Sequence, residues 1–348
     1  MNKNNNLYLL FVTYDGIRNS VFESQVLEPL KKFQKNHPDC SIHIISFERT
    51  PKKFESYRPP FELTVLKKFP YVGKLSLIPA IAQLKKILKK YTEYSLIARG
   101  PLAGYICKQA AQKTGCVDLT IQARGLLAEE YAFAHKDIHF FTKSLHAIRA
   151  QLYKKVEHAA YCQTIHNFPI LIEAVSDALK DYLIKEYKVP PLSISVAQND
   201  VPYKISPEKK MEWRGAIRSQ LSIESQAKVY CYNGSAKAWQ CPEETIIFFK
   251  KMHELNGYSF LLILTNEPSV FEALCKKNNL PANAYRILNI AHNEIYQYLS
   301  AADIGIIMRE PHVINWTSRP TKVLEYQAVG LEIVHNNTIG MLIKADPQ

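Results

Sequence analysis

The chain has 348 residues, 47% hydrophobic and 22% charged, so it is long enough for two domains and too apolar to be disordered. Its formal net charge of +12 indicates an anionic partner, and nucleic acid, anionic lipid or a phosphorylated substrate would each fit. The polar start, followed by a short apolar run, does not form a signal peptide, and no stretch is apolar enough to span a membrane. We therefore expect a cytoplasmic protein.

Cysteine spacing and motif content narrow the class of partner. The seven cysteines are odd in number, scattered and never spaced as C-x-x-C, which predicts reduced thiols and excludes a zinc site. No zinc finger, aromatic RNA-binding motif or basic zipper favours nucleic acid, so we expect no nucleic-acid partner.

The first half of the chain alternates short β-rich apolar runs with longer helical runs, which is typical of α/β proteins with parallel sheets. The predicted strands cover residues 7–13, 41–47, 94–98, 118–122, 172–176 and 192–197, and the predicted helices cover 19–32, 142–163 and 177–187. Turns that contain Gly16, Gly100 and Gly125 follow three of these strands. In open parallel sheets, ligands bind at the carboxyl ends of the strands, where such turns lie.

The alternating pattern restarts after residues 204–212, a lysine-rich stretch that we interpret as a linker. The predicted strands are 228–232, 259–264, 285–288, 304–308 and 332–335, and the predicted helices are 242–255, 293–301 and 321–329. Two Rossmann-like domains, residues 1–203 and 204–348, are the simplest account of this pattern.

Residues 301–330 carry the strongest chemical signal. A buried strand leads into a loop, and the loop leads into a helix with Pro320 in its first turn. Free N–H groups at such a helix start, with the positive end of the helix dipole, suit a diphosphate. Arg319 and Lys322 would add cations there, and Lys322 and Glu325 lie one turn apart on one face. Taken alone, a surface helix with a Lys–Glu pair explains the same residues.

The segment from Ala302 to Gly330, with its run Ser-Arg-Pro-Thr-Lys-x-x-Glu-Tyr, resembles the donor-binding signature of retaining GT-B glycosyltransferases of the glycosyltransferase 4 type. The resemblance implies a GT-B fold with two parallel sheets that face an interdomain cleft. It also implies a nucleotide-sugar co-substrate and no further cofactor. By resemblance, the donor phosphates are lined by Ser318, Arg319, Thr321 and Lys322, and the ribose is bound by Glu325.

The chain departs from the family pattern at three places. Many members have a glutamate that contacts the transferred sugar eight residues before the ribose-binding one, and this chain has Thr317 there. Members usually have a proline two residues after the equivalent of Gly330, and this chain has Glu332. They also continue past the equivalent of His335 for longer than this chain does, which suggests a short form or a truncated one.

Three further donor contacts are expected. Gly234 and Ser235 end a strand, where a glycine lets the backbone approach a ligand closely, and Lys237 follows. The resemblance implies that Lys237 binds the β-phosphate, that backbone near Ile290 contacts the base, and that the Gly16 turn brings amides to the donor and acceptor. Plain turns at Gly16 and Gly234 explain the same residues. We read Asn293 as the N-cap of the next helix.

The acceptor side is predicted from Arg99, Arg124 and Glu130, which resemble acceptor-side loops of bacterial members. A salt bridge between Arg124 and Glu130 is the simpler alternative. No nucleophile and base pair stands out. This fits the family, in which the leaving phosphate helps to deprotonate the acceptor, and catalysis is electrostatic stabilisation by Lys237, Arg319 and Lys322. We expect no metal, because these cations would replace it.

The segment from Lys67 to Tyr91 contains seven lysines and no acid, interleaved with apolar residues. It fits either a helix packed on the sheet with a solvated lysine face or a peripheral contact with an anionic membrane.

The sequence thus predicts transfer of a hexose or N-acetylhexosamine from a UDP- or GDP-sugar, with retention, to a polysaccharide or lipid-linked glycan. The alternatives are a nucleotide-sugar epimerase of the same architecture and a non-catalytic nucleotide-sugar-binding protein.

Overall fold

The computed structural model describes residues 7–17, 22–54, 56–136, 140–162, 167–197 and 205–343. The chain divides into two compact units, Met1–Asp200 and Val201–Gln348. The boundary predicted near residue 203 lies outside the described residues. None of the described helices is long and apolar enough to cross a membrane.

Unit 1 is built on a seven-stranded sheet in the order β3-β2-β1-β4-β5-β6-β7, and every adjacent pair is parallel. The strands are β1 (Leu7–Thr13), β2 (Cys40–Glu48), β3 (Glu62–Lys67), β4 (Tyr94–Arg99), β5 (Cys116–Ala123), β6 (Ile170–Ala174) and β7 (Ile194–Val196). The sequence analysis missed β3. It is an edge strand that is only partly buried, so it lacks the continuous apolar run of the central strands.

The helices of unit 1 follow the strands, as the alternation predicts. They are α1 (Glu28–Asn36), α2 (Ile78–Leu88), α3 (Gly100–Ala110), α4 (Leu127–Ala134), α5 (Phe140–Tyr161) and α6 (Asp177–Tyr187). A π-helical turn, Glu23–Leu27, precedes α1, where Pro29 supplies no N–H for a regular α-helical turn. Ser176 caps α6 through its Oγ, which accepts from the Leu179 N–H at 3.1 Å.

Unit 2 repeats the plan with five strands in the order β10-β9-β8-β11-β12, again all parallel. The strands are β8 (Lys228–Asn233), β9 (Ser259–Leu264), β10 (Tyr285–Leu288), β11 (Ile304–Ile307) and β12 (Glu332–His335). The helices are α7 (Pro207–Gln220), α8 (Pro242–Leu255), α9 (Pro268–Lys277), α10 (Ile295–Ser300), α11 (Val313–Trp316), α12 (Thr321–Ala328) and α13 (Gly340–Ile343). Each of these strands lies within a residue of its predicted position.

The predicted linker at residues 204–212 is wrong, because α7 begins at Pro207. This helix has few apolar residues and is held by ion pairs. Arg214 and Arg218 donate to the two oxygens of Asp303 at 2.6 and 2.9 Å. Asp303 also accepts from the Val229 N–H at 2.8 Å, which ties the helix to the start of β8. A charged helix attached in this way has no hydrophobic periodicity for sequence analysis to detect.

Both faces of the unit 2 sheet are covered. Leu262 and Leu264 of β9 pack into one apolar cluster, and Leu261 and Ile263 pack into another on the opposite face. Such strands are buried on both sides, as expected of parallel sheets between helices. The predicted α/β class with two parallel sheets is therefore confirmed.

Candidate functional site

The start of α12 is the feature that the sequence singled out. Pro320 is the N-cap residue, with extended backbone, and the helix begins at Thr321. Lys322 is 7% exposed and Glu325 is 8% exposed, so both are buried against the sheet. The alternative of a surface helix with a Lys–Glu pair is therefore wrong.

Lys322 lies in a compact polar nest at the carboxyl end of β8. Its Nζ donates to Gln240 Oε1 at 3.0 Å and stands 4.1 Å from the centre of the Tyr232 ring. Burial and the nearby charge of Arg309 hold the pKa of the Lys322 ammonium well below its ordinary value, against the opposing effect of Glu325. Lys322 is thus a desolvated cation that neutral groups hold in position.

Gly234 makes room for Lys322. Its φ is +148°, and a Cβ at this position would lie 2.8 Å from Lys322 Nζ and 2.9 Å from Gln240 Oε1. The Gly234 N–H donates to the Leu264 carbonyl at 2.9 Å, so this amide closes the β8–β9 ladder. Because Gly234 has no Cβ, the Lys322 side chain can approach the backbone closely at this position.

Glu325 and Tyr326 fasten α12 to the end of β8. Glu325 Oε2 accepts from Asn233 Nδ2 at 2.6 Å. The Tyr326 hydroxyl accepts from the Asn233 N–H at 3.0 Å and donates to the Cys231 carbonyl at 3.2 Å. Tyr326 shares the face of Lys322 and Glu325, and its contacts are structural.

Arg309 is a functional candidate that sequence analysis missed. It lies two residues beyond β11, at the carboxyl end of that strand, and is 8% exposed. Its Nε has no hydrogen-bond partner in the described structure, and its Nη1 is 3.5 Å from Asn315 Oδ1. Burial lowers the pKa of its guanidinium. An arginine directly after a buried parallel strand is the sequence signal that would have identified it.

Asn336, just beyond β12, fixes the backbone of Arg309. The Arg309 N–H donates to Asn336 Oδ1 at 3.2 Å, and Asn336 Nδ2 donates to the Arg309 carbonyl at 2.7 Å. The asparagine side chain thus extends the pairing of β11 with β12 by one residue and fixes the main chain that carries the guanidinium.

The charges of this cluster are unbalanced. Lys322 and Arg309 are two buried basic side chains. The charge of Arg309 lowers the pKa of Lys322, and the carboxylate of Glu325 acts on Lys322 in the opposite direction. The dipole of α12 adds positive potential at its amino end. Buried charge is costly unless it is paired, so an anion at this position would be strongly favoured. We refer to Lys322, Arg309 and the start of α12 as the cation cluster.

The other donor residues predicted near α12 are placed in different ways. Ser318 is half-buried, and its Oγ donates to the Asn315 carbonyl at 2.8 Å. Arg319 is half-buried, and Thr321 is exposed at the first helical position. Thr317 is buried and donates to the Val313 carbonyl at 2.8 Å, so its hydroxyl is engaged within α11.

The predicted residues at the end of β8 divide into a buried and an exposed group. Ser235 Oγ accepts from Gln240 Nε2 at 2.9 Å, so Ser235 belongs to the shell around Lys322. Lys237 is exposed, and its Nζ lies 5.0 Å from the centre of the Trp239 ring. Gln240, which contacts both Ser235 and Lys322, was missed because a lone glutamine has no motif.

Two predictions fall near α10. Ile290 is half-buried and packs against one apolar cluster of unit 2. Asn293 is not the N-cap, because α10 begins at Ile295 with Glu294 as its cap residue and without a side-chain cap bond. A short 3-10 turn that contains Asn293 delays the helix start.

In unit 1, the Gly16 turn is closed by a carboxylate. Gly16 has φ +83°, and Glu48 Oε1 accepts from the Ile17 N–H at 2.8 Å and from Ser46 Oγ at 2.7 Å. A Cβ on Gly16 would lie 3.1 Å from Glu48 Oε2. The rest of the predicted turn, residues 18–20, lies outside the described residues. One amide of this turn is therefore used internally, and Glu48 was not predicted.

The predicted acceptor-side residues converge on an unpredicted glutamine. Arg99 and Arg124 donate from Nη2 to Gln25 Oε1 at 2.6 and 3.2 Å. The alternative of an ion pair between Arg124 and Glu130 is wrong for the described structure. Glu130 Oε1 instead lies against Gly125, 2.2 Å from where a Cβ would be.

The Glu130 carboxyl has an unusual proton affinity. The residue is exposed on one side, yet enough protein surrounds the carboxyl for desolvation to raise its pKa to about 7, and the charge of Asp15 adds to this. In the part of the chain that the structure describes, no group of three or more His, Cys, Asp or Glu side chains is arranged to hold a metal ion.

Solved structures with a similar architecture include several glycosyltransferases. HepE of Anabaena, solved in complex with UDP and glucose, is 16% identical with a TM-score of 0.62, over 97% of this chain and 83% of HepE. WaaG, a glycosyltransferase involved in lipopolysaccharide biosynthesis, is 14% identical with a TM-score of 0.63, over 97% of this chain and 83% of WaaG. A glycosyltransferase from Rickettsia africae is 15% identical with a TM-score of 0.64, over 99% and 82% of the two chains.

No protein-family model and no curated protein matches the sequence. At identities this low, the structural likeness shows the fold alone. The chain therefore has the GT-B fold that the signature from Ala302 to Gly330 predicts.

Proposed function

We propose that the chain is a glycosyltransferase that takes its sugar from a nucleoside diphosphate sugar whose diphosphate binds at the cation cluster. The observation that carries this proposal is the pair of buried cations, Lys322 and Arg309, of which Arg309 Nε has no acceptor among the described residues. A diphosphate brings the negative charge and the acceptor oxygens that these groups lack. The GT-B fold, shared with glycosyltransferases of known structure, supports the same function.

The proposed reaction uses that positive charge when the donor breaks down. The bond between the anomeric carbon and the diphosphate oxygen breaks, a bond from the acceptor oxygen to that carbon forms, and the hydroxyl proton passes to the leaving diphosphate. Negative charge develops on the diphosphate, where Lys322, Arg309 and the α12 dipole stabilise it. Arg319 and Lys237 are proposed as further phosphate contacts, with Ser318 and Thr321 at the helix start.

The finer features of this function are proposals that follow from the family resemblance. They are retention at the anomeric carbon, a UDP- or GDP-linked hexose or N-acetylhexosamine, and no metal requirement. Glu325 is proposed to bind the ribose, with Ile290 near the base and Gly16, Gly234 and Ser235 contributing backbone or hydroxyl groups. The acceptor is proposed to be a polysaccharide or a lipid-linked glycan, with Arg99, Arg124 and Glu130 on its side, in the cytoplasm.

A non-catalytic nucleotide-sugar-binding protein is the second candidate, and the position of Thr317 favours it. Many members of the resembling family have a glutamate there that contacts the sugar. Here the side chain is 1% exposed and bonded to the Val313 carbonyl. It offers no group to a sugar.

The proposal is tested by calorimetric titration of UDP and GDP into the wild type and into Lys322→Met. The loss of a charged hydrogen bond is worth about 1.5–3 kcal/mol, so the variant is expected to bind at least tenfold more weakly. Lys251→Met, which removes an exposed lysine of α8, is the matched control and is expected to bind like the wild type. Equal affinity in all three proteins would remove the assignment.

Turnover separates the candidate activities. UDP- and GDP-sugars are incubated with and without acceptor lipids, and free nucleotide and the sugar are analysed. Nucleotide release that depends on an acceptor supports transfer. An altered sugar without acceptor would indicate an epimerase. Tight binding without either product would indicate the binding protein.

A further inference from the structure

Unit 1 exposes five large apolar side chains at one end of α5 and at the start of α2. Val72 and Leu75 precede α2, Ile78 is its first residue, and Leu145 and Ile148 come from α5. Leu75 is 81% exposed and Leu145 is 68% exposed. We call these five residues the apolar patch.

The segment that precedes α2 contacts α5 through Tyr71. The Tyr71 hydroxyl donates to the Leu152 carbonyl at 2.7 Å, and Arg149 Nη2 donates to the Tyr71 carbonyl at 3.3 Å. The rings of Tyr71 and Tyr153 stack at 4.9 Å. Leu145, Ile148 and Leu152 fall at i, i+3 and i+7, so they line one face of α5. Val72, which follows Tyr71, therefore lies beside that face.

The apolar face of α2 itself is not available. Leu84, Ile87 and Leu88 are buried within unit 1, and the lysines of the helix face away from them. The simpler prediction for Lys67 to Tyr91, a helix packed on its sheet, is therefore confirmed for α2. An outside partner would have to use the segment before α2 together with α5.

The two sequence segments that carry the apolar patch are strongly basic. Residues 67–91 contain seven lysines, residues 140–156 add three lysines and an arginine, and neither stretch contains an acid. Lys74 and Lys143 are exposed next to members of the patch. Exposed apolar groups of this size in a basic surface call for a partner that is negative at its surface and apolar beneath.

We propose that the apolar patch inserts into the head-group region of an anionic lipid bilayer. A bilayer of this kind offers a negative surface to the lysines and an apolar layer a few ångströms below it for Leu75, Ile148 and their neighbours. A second copy of the chain fits less well, because it would bring two basic surfaces face to face. The inference does not depend on the proposed transfer reaction.

The test is flotation of the full chain with two kinds of vesicle, pure phosphatidylcholine and an equal mixture of phosphatidylcholine and phosphatidylglycerol. The wild type is expected to float with the anionic vesicles, less so as salt is raised, and to stay behind with the neutral ones. The double variant Leu75→Glu, Ile148→Glu replaces apolar anchors by acids and is expected to lower vesicle affinity by about tenfold or more.

Controls separate this effect from misfolding and self-association. Leu192→Glu changes a fully exposed leucine elsewhere in unit 1 and is expected to float like the wild type. Circular dichroism melting and light scattering are run on each protein. Flotation that survives the double variant, or that is equal on neutral vesicles, overturns the proposal. The proposal is also overturned if the wild type does not float and forms a dimer, and the double variant is a monomer.

Discussion

The two units share a scaffold and differ in the charge they place on it. Both sheets have a central strand followed by a glycine turn, at Gly16 after β1 and at Gly234 after β8. In both, a carboxylate that follows or ends the neighbouring strand accepts an N–H of the turn. Glu48 binds the Ile17 N–H and Glu267 binds the Ala236 N–H, each at 2.8 Å.

The difference lies in the residue before each glycine. Unit 1 has Asp15 close to Gly100 at the start of α3, with the buried Arg99 attracting its charge. Unit 2 has the neutral Asn233 at that position. Unit 2 also has two buried basic side chains, Lys322 from α12 and Arg309. Unit 1 thus has a carboxylate at the position where unit 2 has a neutral amide. The anion binding that we propose for unit 2 therefore depends on a few side chains and not on the fold.

The largest effect on nucleotide affinity is expected from a substitution that gives Lys322 a carboxylate partner within the protein. Gln240→Glu would place a carboxylate near Lys322 Nζ, where the amide oxygen now accepts at 3.0 Å. An internal ion pair would compete with the diphosphate, and we expect nucleotide affinity to fall by about 3 kcal/mol. Calorimetric titration with UDP and GDP measures it, and Gln220→Glu, an exposed position on α7, is the control. Undiminished affinity would contradict the role of Lys322.

A smaller effect is expected from copying unit 1 into unit 2. Asn233→Asp recreates the Asp-Gly pair and sets two carboxylates against each other, since Asn233 Nδ2 now donates to Glu325 at 2.6 Å. We expect nucleotide affinity to fall by about 2 kcal/mol and the melting temperature to decrease. Asn256→Asp, in the loop after α8, serves as the control. If the Asp variant bound nucleotide as tightly as the wild type, the difference between Asp15 and Asn233 would have no role in anion binding.

In unit 1 the sharpest test is pH. The pKa of Glu130 is raised to about 7, so its protonated form favours the fold, and that contribution is lost as pH rises from the ordinary carboxyl range through 7. We expect Glu130→Gln to gain stability relative to the wild type over that range, by about 1 kcal/mol after allowing for its exposure. Denaturant titrations at pH 5 and pH 8 measure this, with Glu129→Gln as the control. A difference that does not change with pH would contradict the raised pKa.

The smallest effect is expected at Lys237. Its ammonium lies over Trp239 on the surface, and screened surface charges contribute about 0.2–1 kcal/mol. Lys237→Ala should therefore weaken nucleotide binding less than Lys322→Met does. If the order of the two effects were reversed, the exposed lysine would be the main phosphate ligand.

Much of the fold could be predicted from the sequence because strand signals are local. The apolar runs that form β8 and β9 are continuous, and the Pro320 and Lys322 signature marks the start of α12. The edge strand β3 and the ion-paired helix α7 were missed, since neither has a continuous or periodic apolar pattern.

The candidate site was only partly predictable, because residues that are distant in the sequence come together there only in the folded chain. Arg309 and Lys322 are thirteen residues apart, and nothing in their spacing shows that both are buried in one place. Gln240 and Gln25 belong to no sequence motif, and their roles are visible only from the side chains that they contact. The signature predicted the start of α12, whereas the side chains that contact α12 are determined by how the strands pack around it.

The packing of Tyr326 limits how unit 2 can respond to a ligand. A Cβ on Gly305 would lie 2.3 Å from the Tyr326 ring, so the ring sits directly on the sheet while its hydroxyl bridges two backbone groups of β8. With the ring wedged against β11 in this way, α12 cannot slide or tilt without unpacking the middle of the sheet. We therefore expect a bound molecule to be accommodated by side chains such as Lys322 and Gln240 and not by a shift of α12.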